Sequence, residues 1–182
     1  MRELSLNVMD VAENSVRAKA SLIEIIVKES KKDDLLSIII KDNGCGMTEE
    51  QVRSVIDPFF TTRTTRKVGL GIPLFKLASE QTGGTFSIES EVGVGTKTSA
   101  NFVMSSIDMT PLGDINSTIS ILIRCNPDID FVFTHSTDKD SFVLDTRELR
   151  EVLGEDVPLN TNDVLQWINE FLIENTENIY GG

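Results

Sequence analysis

The sequence predicts an α/β chain, and three observations carry that expectation. Leu4, Val8, Val11, Ala12 and Ala18, with small Ser15 among them, recur at helical spacing between residues 3 and 20. Residues 21–28 and 36–41 are strand-length runs rich in Ile, Leu and Val. Helical and strand-like patterns then alternate along the rest of the chain.

The first helix carries a second stripe, Glu3, Asn7, Asp10, Asn14 and Arg17, which makes it amphipathic with an unusual polar side. The Lys/Asp cluster between the two apolar runs reads as a hairpin turn, so the strands are expected to be antiparallel. Thr48 followed by Gln51 has the form of a capping box that starts a short helix towards Ile56, with Pro58 marking its end. After a Thr/Arg-rich loop, Pro73 falls in the first turn of a helix with apolar positions Ile72, Phe75, Leu77 and Ala78, stopped by Gly83 and Gly84. Residues 85–89 and 96–104 read as strands joined by a Gly-containing turn.

Beyond Met104 the texture changes. Residues 105–111 are linker-like, and 115–124 form a helical stretch rich in β-branched residues. Residues 130–134 and 141–145 flank a polar turn as a hairpin, followed by helices near 147–153 and 162–174, the latter carrying Trp167. The expected division is therefore residues 1–105 and a C-terminal helix–hairpin–helix extension, 106–182. That extension either stands apart or completes the sheet of the first part.

At 182 residues with 40% hydrophobic content, the chain can bury a real core. Its 29 acidic residues against 17 basic ones, net −12, argue against affinity for nucleic acid or an anionic membrane, so an anionic ligand must be met locally. The apolar runs are far short of a membrane span and the N-terminal stretch lacks a signal-peptide pattern, from which a cytoplasmic location is expected. Cys45 and Cys125 have no metal-ligand spacing and read as free thiols, and one His makes zinc chemistry a poor fit.

Four segments hold residues that suit a nucleotide. Asp10, Asn14 and Arg17 stand at i, i+4 and i+7, placing a carboxylate, a carboxamide and a guanidinium on one helix face. Asn14 can give Mg²⁺ a neutral oxygen, Arg17 can meet a phosphate, and Asp10 can orient or deprotonate a nucleophile. The same face is also compatible with a solvated surface on which Arg17 pairs with Glu13. Asp42-Asn43-Gly44-Cys45-Gly46 follows a strand: Asp42 can accept from the exocyclic amine of adenine while Gly44 and Gly46 let the backbone approach the ring, although Asn-Gly alone means only a turn. Arg63, Arg66 and Lys67 precede Gly69-Leu70-Gly71, where free N–H groups at a helix start can cradle phosphate; the alternative is a plain surface loop. Phe59 and Phe60 read as core anchors of that loop. Gly93-Val94-Gly95-Thr96 is a turn whose Thr96 hydroxyl can also reach the base.

Taken in order, these segments resemble the boxes of the GHKL superfamily, which includes DNA gyrase, a heat-shock chaperone, histidine kinases and MutL. Residues 13–21 resemble the N box, 42–47 the G1 box, 58–63 the F box of histidine kinases, 69–71 the G2 box and 93–96 the G3 box. The resemblance covers roughly residues 3–104. It implies a two-layer α/β sandwich, the Bergerat fold, with a mixed sheet, helices on one face, and ATP with Mg²⁺ held under a lid. It also implies ATP contacts from Asn14, Arg17, Asp42, Gly44, Gly46, Met47, Thr62, Arg63, Lys67, Gly69, Leu70, Gly71 and Thr96, with Asn14 on the metal and Asp10 catalytic.

The chain departs from the family pattern at two places. Asp10 stands where readily hydrolysing members carry Glu, and Lys67 where histidine kinases often carry Gly. His135, the single histidine, lies in a strand-like run and reads as structural, so an autokinase is not expected. The resemblance thus implies a slow ATPase or a kinase acting in trans on a partner protein, a serine kinase resembling the anti-sigma factors being one version. The other reading is a non-catalytic sensor whose ATP lid controls partner binding. Strands that precede the N box in kinases are missing, and the hairpin 130–145 is expected to fill that sheet edge.

Overall fold

A computed structural model describes residues 3–57 and 70–181. Its elements in order are α1 (Leu4–Arg17), β1 (Leu22–Ser30), β2 (Leu35–Asp42), α2 (Glu49–Ile56), α3 (Gly71–Gln81), β3 (Thr85–Glu91), β4 (Gly95–Val103), α4 (Ile115–Cys125), β5 (Asp130–Ser136), β6 (Ser141–Asp145), α5 (Thr146–Leu153) and α6 (Asn162–Ile179).

The strands form one six-stranded mixed sheet in the order β3-β4-β2-β1-β5-β6. β1 and β2 pair antiparallel, as do β2 with β4, β3 with β4 and β5 with β6, while β5 runs parallel to β1 with Ile25 opposite Phe133. The hairpin of the C-terminal segment therefore extends the N-terminal sheet beyond β1. Alternation decides the faces: Ile23, Ile25 and Val27 of β1, Leu36, Ile38 and Ile40 of β2, and Phe131 and Phe133 of β5 are buried, and their neighbours are not. Against the buried face lie α1, α3 and α4, with Leu4, Val8, Val11, Ile72, Phe75, Ile119 and Leu122 in the same core as the sheet. The rings of Phe75 and Phe102 are 5.8 Å apart, joining α3 to β4. This is the two-layer arrangement the resemblance implied.

Local signals behave as their chemistry requires. Thr48 Oγ1 accepts from Gln51 N at 3.2 Å and Gln51 Oε1 accepts from Thr48 N at 2.9 Å, a complete capping box. Asp114 caps α4 and Thr161 caps α6 through their side chains. The β-branched residues of α4 do not prevent a helix, because Ile115, Ile119 and Ile123 all enter the core.

Several expectations need correction. α1 ends at Arg17, not Ala20: Ala18 is outside the helix and Lys19 adopts φ 60°. Asn7, expected on the polar stripe, is 1% exposed, and its Oδ1 has no hydrogen-bond partner among the described residues. Leu77, expected in the core, is 50% exposed, since the face of α3 that is buried carries Gly71, Ile72, Phe75 and Ser79, with Ala78 packed at its edge. α6 packs on α4 and β6 through Val164, Ile168 and Leu172, while Trp167 stays half exposed and stacks on Phe171. His135 is buried, its Nε2 2.7 Å from Glu29 Oε2, and Tyr180, which follows α6, donates to the same oxygen at 2.5 Å. No helix among the described residues is long and apolar enough to cross a membrane.

Candidate functional site

The site residues gather where α1, the β2–α2 loop, the start of α3 and the β3–β4 turn converge. Asp42, the last residue of β2, lies opposite Thr96 of β4 in the strand register. Its two oxygens are held from two directions: Oδ2 accepts from Ser15 Oγ at 2.5 Å and Oδ1 from Gly44 N at 2.8 Å. Ser15 follows Asn14 in α1, so Asp42 and Asn14, far apart in sequence, stand one residue away from direct contact.

The Asp42–Met47 loop is clamped on both sides. Cys45 N donates to Ala18 O at 2.9 Å, Gly93 N donates to Cys45 O at 2.8 Å, and Met47 N donates to Ser90 Oγ at 2.8 Å. Asn43 ties the loop to the start of β1: its Oδ1 accepts from Ser21 N at 2.8 Å and Leu22 N at 3.0 Å. Gly46 has φ 72° and a Cβ there would lie 1.9 Å from Glu91 O, so both conformation and space demand glycine. At Gly44 a Cβ would meet Ala18 at 2.8 Å, and at Gly95 it would meet Asp42 O at 2.0 Å. Thr96 is half-buried, with its Oγ1 2.8 Å from Ser90 Oγ.

On α1, Asp10 is exposed and Asn14 half-buried. Arg17 donates from Nη1 to Asn14 Oδ1 at 2.8 Å and its Nη2 is 3.8 Å from Glu13 Oε2, so in this state the guanidinium serves both neighbours. The glycine that opens α3, Gly71, lies against Asp10, and Leu70 occupies the N-cap position, exposed and without a side-chain cap. An uncapped helix start leaves backbone donors for an anion. Thr62, Arg63, Lys67 and Gly69, together with Pro58, Phe59, Phe60 and Arg66, lie outside the described residues.

The arrangement brings Asp10, Asn14, Arg17, Asp42, Gly44, Gly46, Met47, Leu70, Gly71 and Thr96 to adjoining elements. Two participants were not singled out in the sequence. Ser15 reads there as a small residue of the apolar stripe, and Ser90 as one more strand residue. The available signal for Ser15 was its position beside Asn14, which gives no hint that the hydroxyl faces β2.

Residues 2–108 match the family model described as histidine kinase-, DNA gyrase B-, and HSP90-like ATPase. The chain belongs to this ATPase family. Among similar sequences, a probable C4-dicarboxylate sensor kinase of Bacillus subtilis (strain 168) is 33% identical over 90 residues, covering 50% of this chain and 16% of that protein. Sensor protein SrrB of Staphylococcus aureus (strain NCTC 8325 / PS 47) is 38% identical over 79 residues, covering 41% of this chain and 13% of that protein. The chain thus spans a small fraction of these relatives' length.

Among solved structures, the Aquifex aeolicus MutL ATPase domain, complexed with ADP, aligns with a TM-score of 0.52 at 18% identity over 84% of this chain and 69% of that one. The N-terminal domain of a DNA repair protein aligns with a TM-score of 0.56 at 16% identity over 84% of this chain and 57% of that one. Both likenesses concern the fold, and they extend past residue 108 into the C-terminal segment. Membership makes the matched region a histidine-kinase-like ATPase domain of the GHKL type, and ATP the nucleotide such a domain binds.

Proposed function

We propose that the chain binds ATP with Mg²⁺ between α1, the Asp42–Met47 loop and the start of α3, and that it turns ATP over as a slow ATPase or as a kinase acting in trans on a protein partner. The observation that carries this reading is the Ser15–Asp42 hydrogen bond of 2.5 Å, which holds a base-reading carboxylate beside the residue that follows Asn14.

The residues fit the nucleotide. Gly44, Gly46 and Gly95 let the loop and the turn close on Ala18, Glu91 and Asp42 where a Cβ would collide, and Asp42 is an acceptor already supplied with two internal donors. A Mg²⁺ ion that keeps several waters and takes phosphate oxygens needs only one or two protein ligands, and Asn14 Oδ1 is suited to be one. In this arrangement Asp42 accepts from the adenine amine, with Gly44, Gly46, Met47 and Thr96 around the base. Arg17 leaves Asn14 Oδ1 for a phosphate oxygen, joined by Thr62, Arg63 and Lys67. The N–H groups following Gly69 and Leu70, including that of Gly71, receive the phosphates. Bound Mg²⁺ would neutralise charge on the phosphates. Asp10 orients the attacking water or hydroxyl and accepts its proton.

The shorter Asp10 in the place of Glu favours slow turnover, and it also keeps a second reading in play, a sensor in which ATP controls a partner surface without being cleaved. Calorimetry with ATP, ADP and GTP, with and without Mg²⁺, tests binding. Turnover assays on the parent and Asp10→Ala separate the two readings: lost turnover with retained binding supports an enzyme, and a parent with neither ADP release nor phosphate transfer supports the sensor. A cytoplasmic location and a protein partner, with no nucleic acid or membrane, complete the proposal, in keeping with the net charge of −12.

A further inference from the structure

We infer that Ser15 is the positioning residue that sets purine selectivity, by fixing the Asp42 carboxylate in the orientation that accepts a 6-amino group and refuses a 6-keto oxygen. The inference rests on the nucleotide reading proposed above and adds to it a residue and the chemical feature it selects.

Ser15 is 3% exposed, on the side of α1 that faces the sheet. A serine in a helix ordinarily satisfies its hydroxyl by donating to the carbonyl one turn back. Here the proton is given instead to Asp42 Oδ2, 27 residues away in sequence and on another element, at 2.5 Å. The Gly44 N–H takes Oδ1 at 2.8 Å. A backbone N–H can only donate, so the carboxyl group is met by a donor at each oxygen.

The terminal torsion of aspartate is broad and nearly two-fold, so one hydrogen bond leaves the carboxylate plane loosely defined. A second donor from a different element removes that freedom. Carboxylate oxygens keep further lone pairs for a ligand, about four acceptor sites in all, of which the two internal donors use two. An exocyclic amine completes such a set. A keto oxygen in the same place sets acceptor against acceptor and leaves the remaining acceptor sites of Asp42 without a donor, the situation in which sites reject an analogue most strongly. Because Ser15 is bonded to Asn14 through the chain, the same contact also keeps the base end in register with the phosphate end.

The test compares ATP with inosine triphosphate, which differs at position 6 by a keto oxygen in place of the amine. Both affinities are measured by calorimetry in the presence of Mg²⁺ for the parent, Ser15→Ala and Ser15→Cys, with thermal melts on each. The parent is expected to prefer ATP. Ser15→Ala is expected to bind ATP at least about tenfold more weakly, as for a lost hydrogen bond to a charged group, with inosine triphosphate affinity unchanged, so that the preference falls by the same factor. Ser15→Cys, a weaker donor of similar shape, is expected to fall between the two and serves if the alanine variant does not fold. An unchanged ratio of the two affinities in the variants overturns the inference, whether both affinities persist or both fall together. A parent that binds the two nucleotides equally also overturns it. A parent that binds neither overturns the nucleotide reading itself, which distinguishes the two failures.

Discussion

A Cβ placed on Gly71 would lie 2.9 Å from the Cβ of Asp10. The first residue of α3 therefore rests directly on the turn of α1 that carries the proposed catalytic carboxylate, with no room for a side chain between them. Gly71→Ala should force the two helices apart and cost about 1–3 kcal/mol, as overpacking does. Because the helix start and Asp10 would separate, ATP affinity should fall together with the melting temperature. A variant with the parent's melt and the parent's calorimetric affinity would show that the contact is slack.

Lys19 has φ 60°, in the left-handed region, at the exit from α1. A side chain there costs roughly 1–2 kcal/mol, and glycine removes that cost while giving back about 0.4–1 kcal/mol through its freer unfolded chain. Lys19→Gly should therefore leave a net stabilisation of about 0.5–1 kcal/mol by urea denaturation. Lys19→Val should lose stability, since a β-branched residue is poorly tolerated there.

Asn7 offers a different test of burial. The residue is 1% exposed and its Oδ1 has no partner among the described residues. An unsatisfied buried acceptor costs about 1–3 kcal/mol, and an apolar group of similar shape avoids that cost. Asn7→Leu should raise the denaturation midpoint. A lower midpoint would reveal a buried water held by the amide.

The Glu29–His135–Tyr180 cluster predicts the pH limits of the fold. Burial by itself would raise the Glu29 carboxyl, but its hydrogen bonds with His135 and Tyr180 outweigh that and hold its pKa below the ordinary value. A depressed folded pKa means that the Glu29 contribution is present above its unfolded pKa, about 4.3, and is lost as pH falls through the folded value. Tyr180 is shifted the other way: burial, then the hydrogen bond to Glu29, pushes its phenol up. Its contribution is present below the ordinary tyrosine pKa, about 10, and declines as pH rises from there towards the folded value. In melts across pH, Glu29→Gln should flatten the acid limb and Tyr180→Phe the alkaline limb. Limbs of unchanged slope would show that other groups set them.

Much of the fold was legible because its signals are local. The Thr48–Gln51 capping box is complete, the Lys/Asp turn joins antiparallel β1 and β2, and each helix seen falls on a stretch that reads as helical in the sequence. Periodicity failed at Asn7 and Leu77 for one reason: spacing tells which residues share a helix face, not how far the neighbouring elements reach round it. Asn7 lies on α1, a helix packed against both α3 and α4, and is buried, whereas Leu77 stays half exposed.

The sequence alone determined the order of the boxes, the residue types able to meet a base, a metal ion and phosphates, and the helices and strands that carry them. Tertiary structure decided that Ser15 donates to Asp42, that Gly71 rests on Asp10, and that β5 runs parallel to β1 with Ile25 opposite Phe133. A hydrogen bond or a steric contact between distant segments depends on the angle and depth at which their elements pack. That geometry is set by the filling of the common core, to which no short stretch of sequence has access.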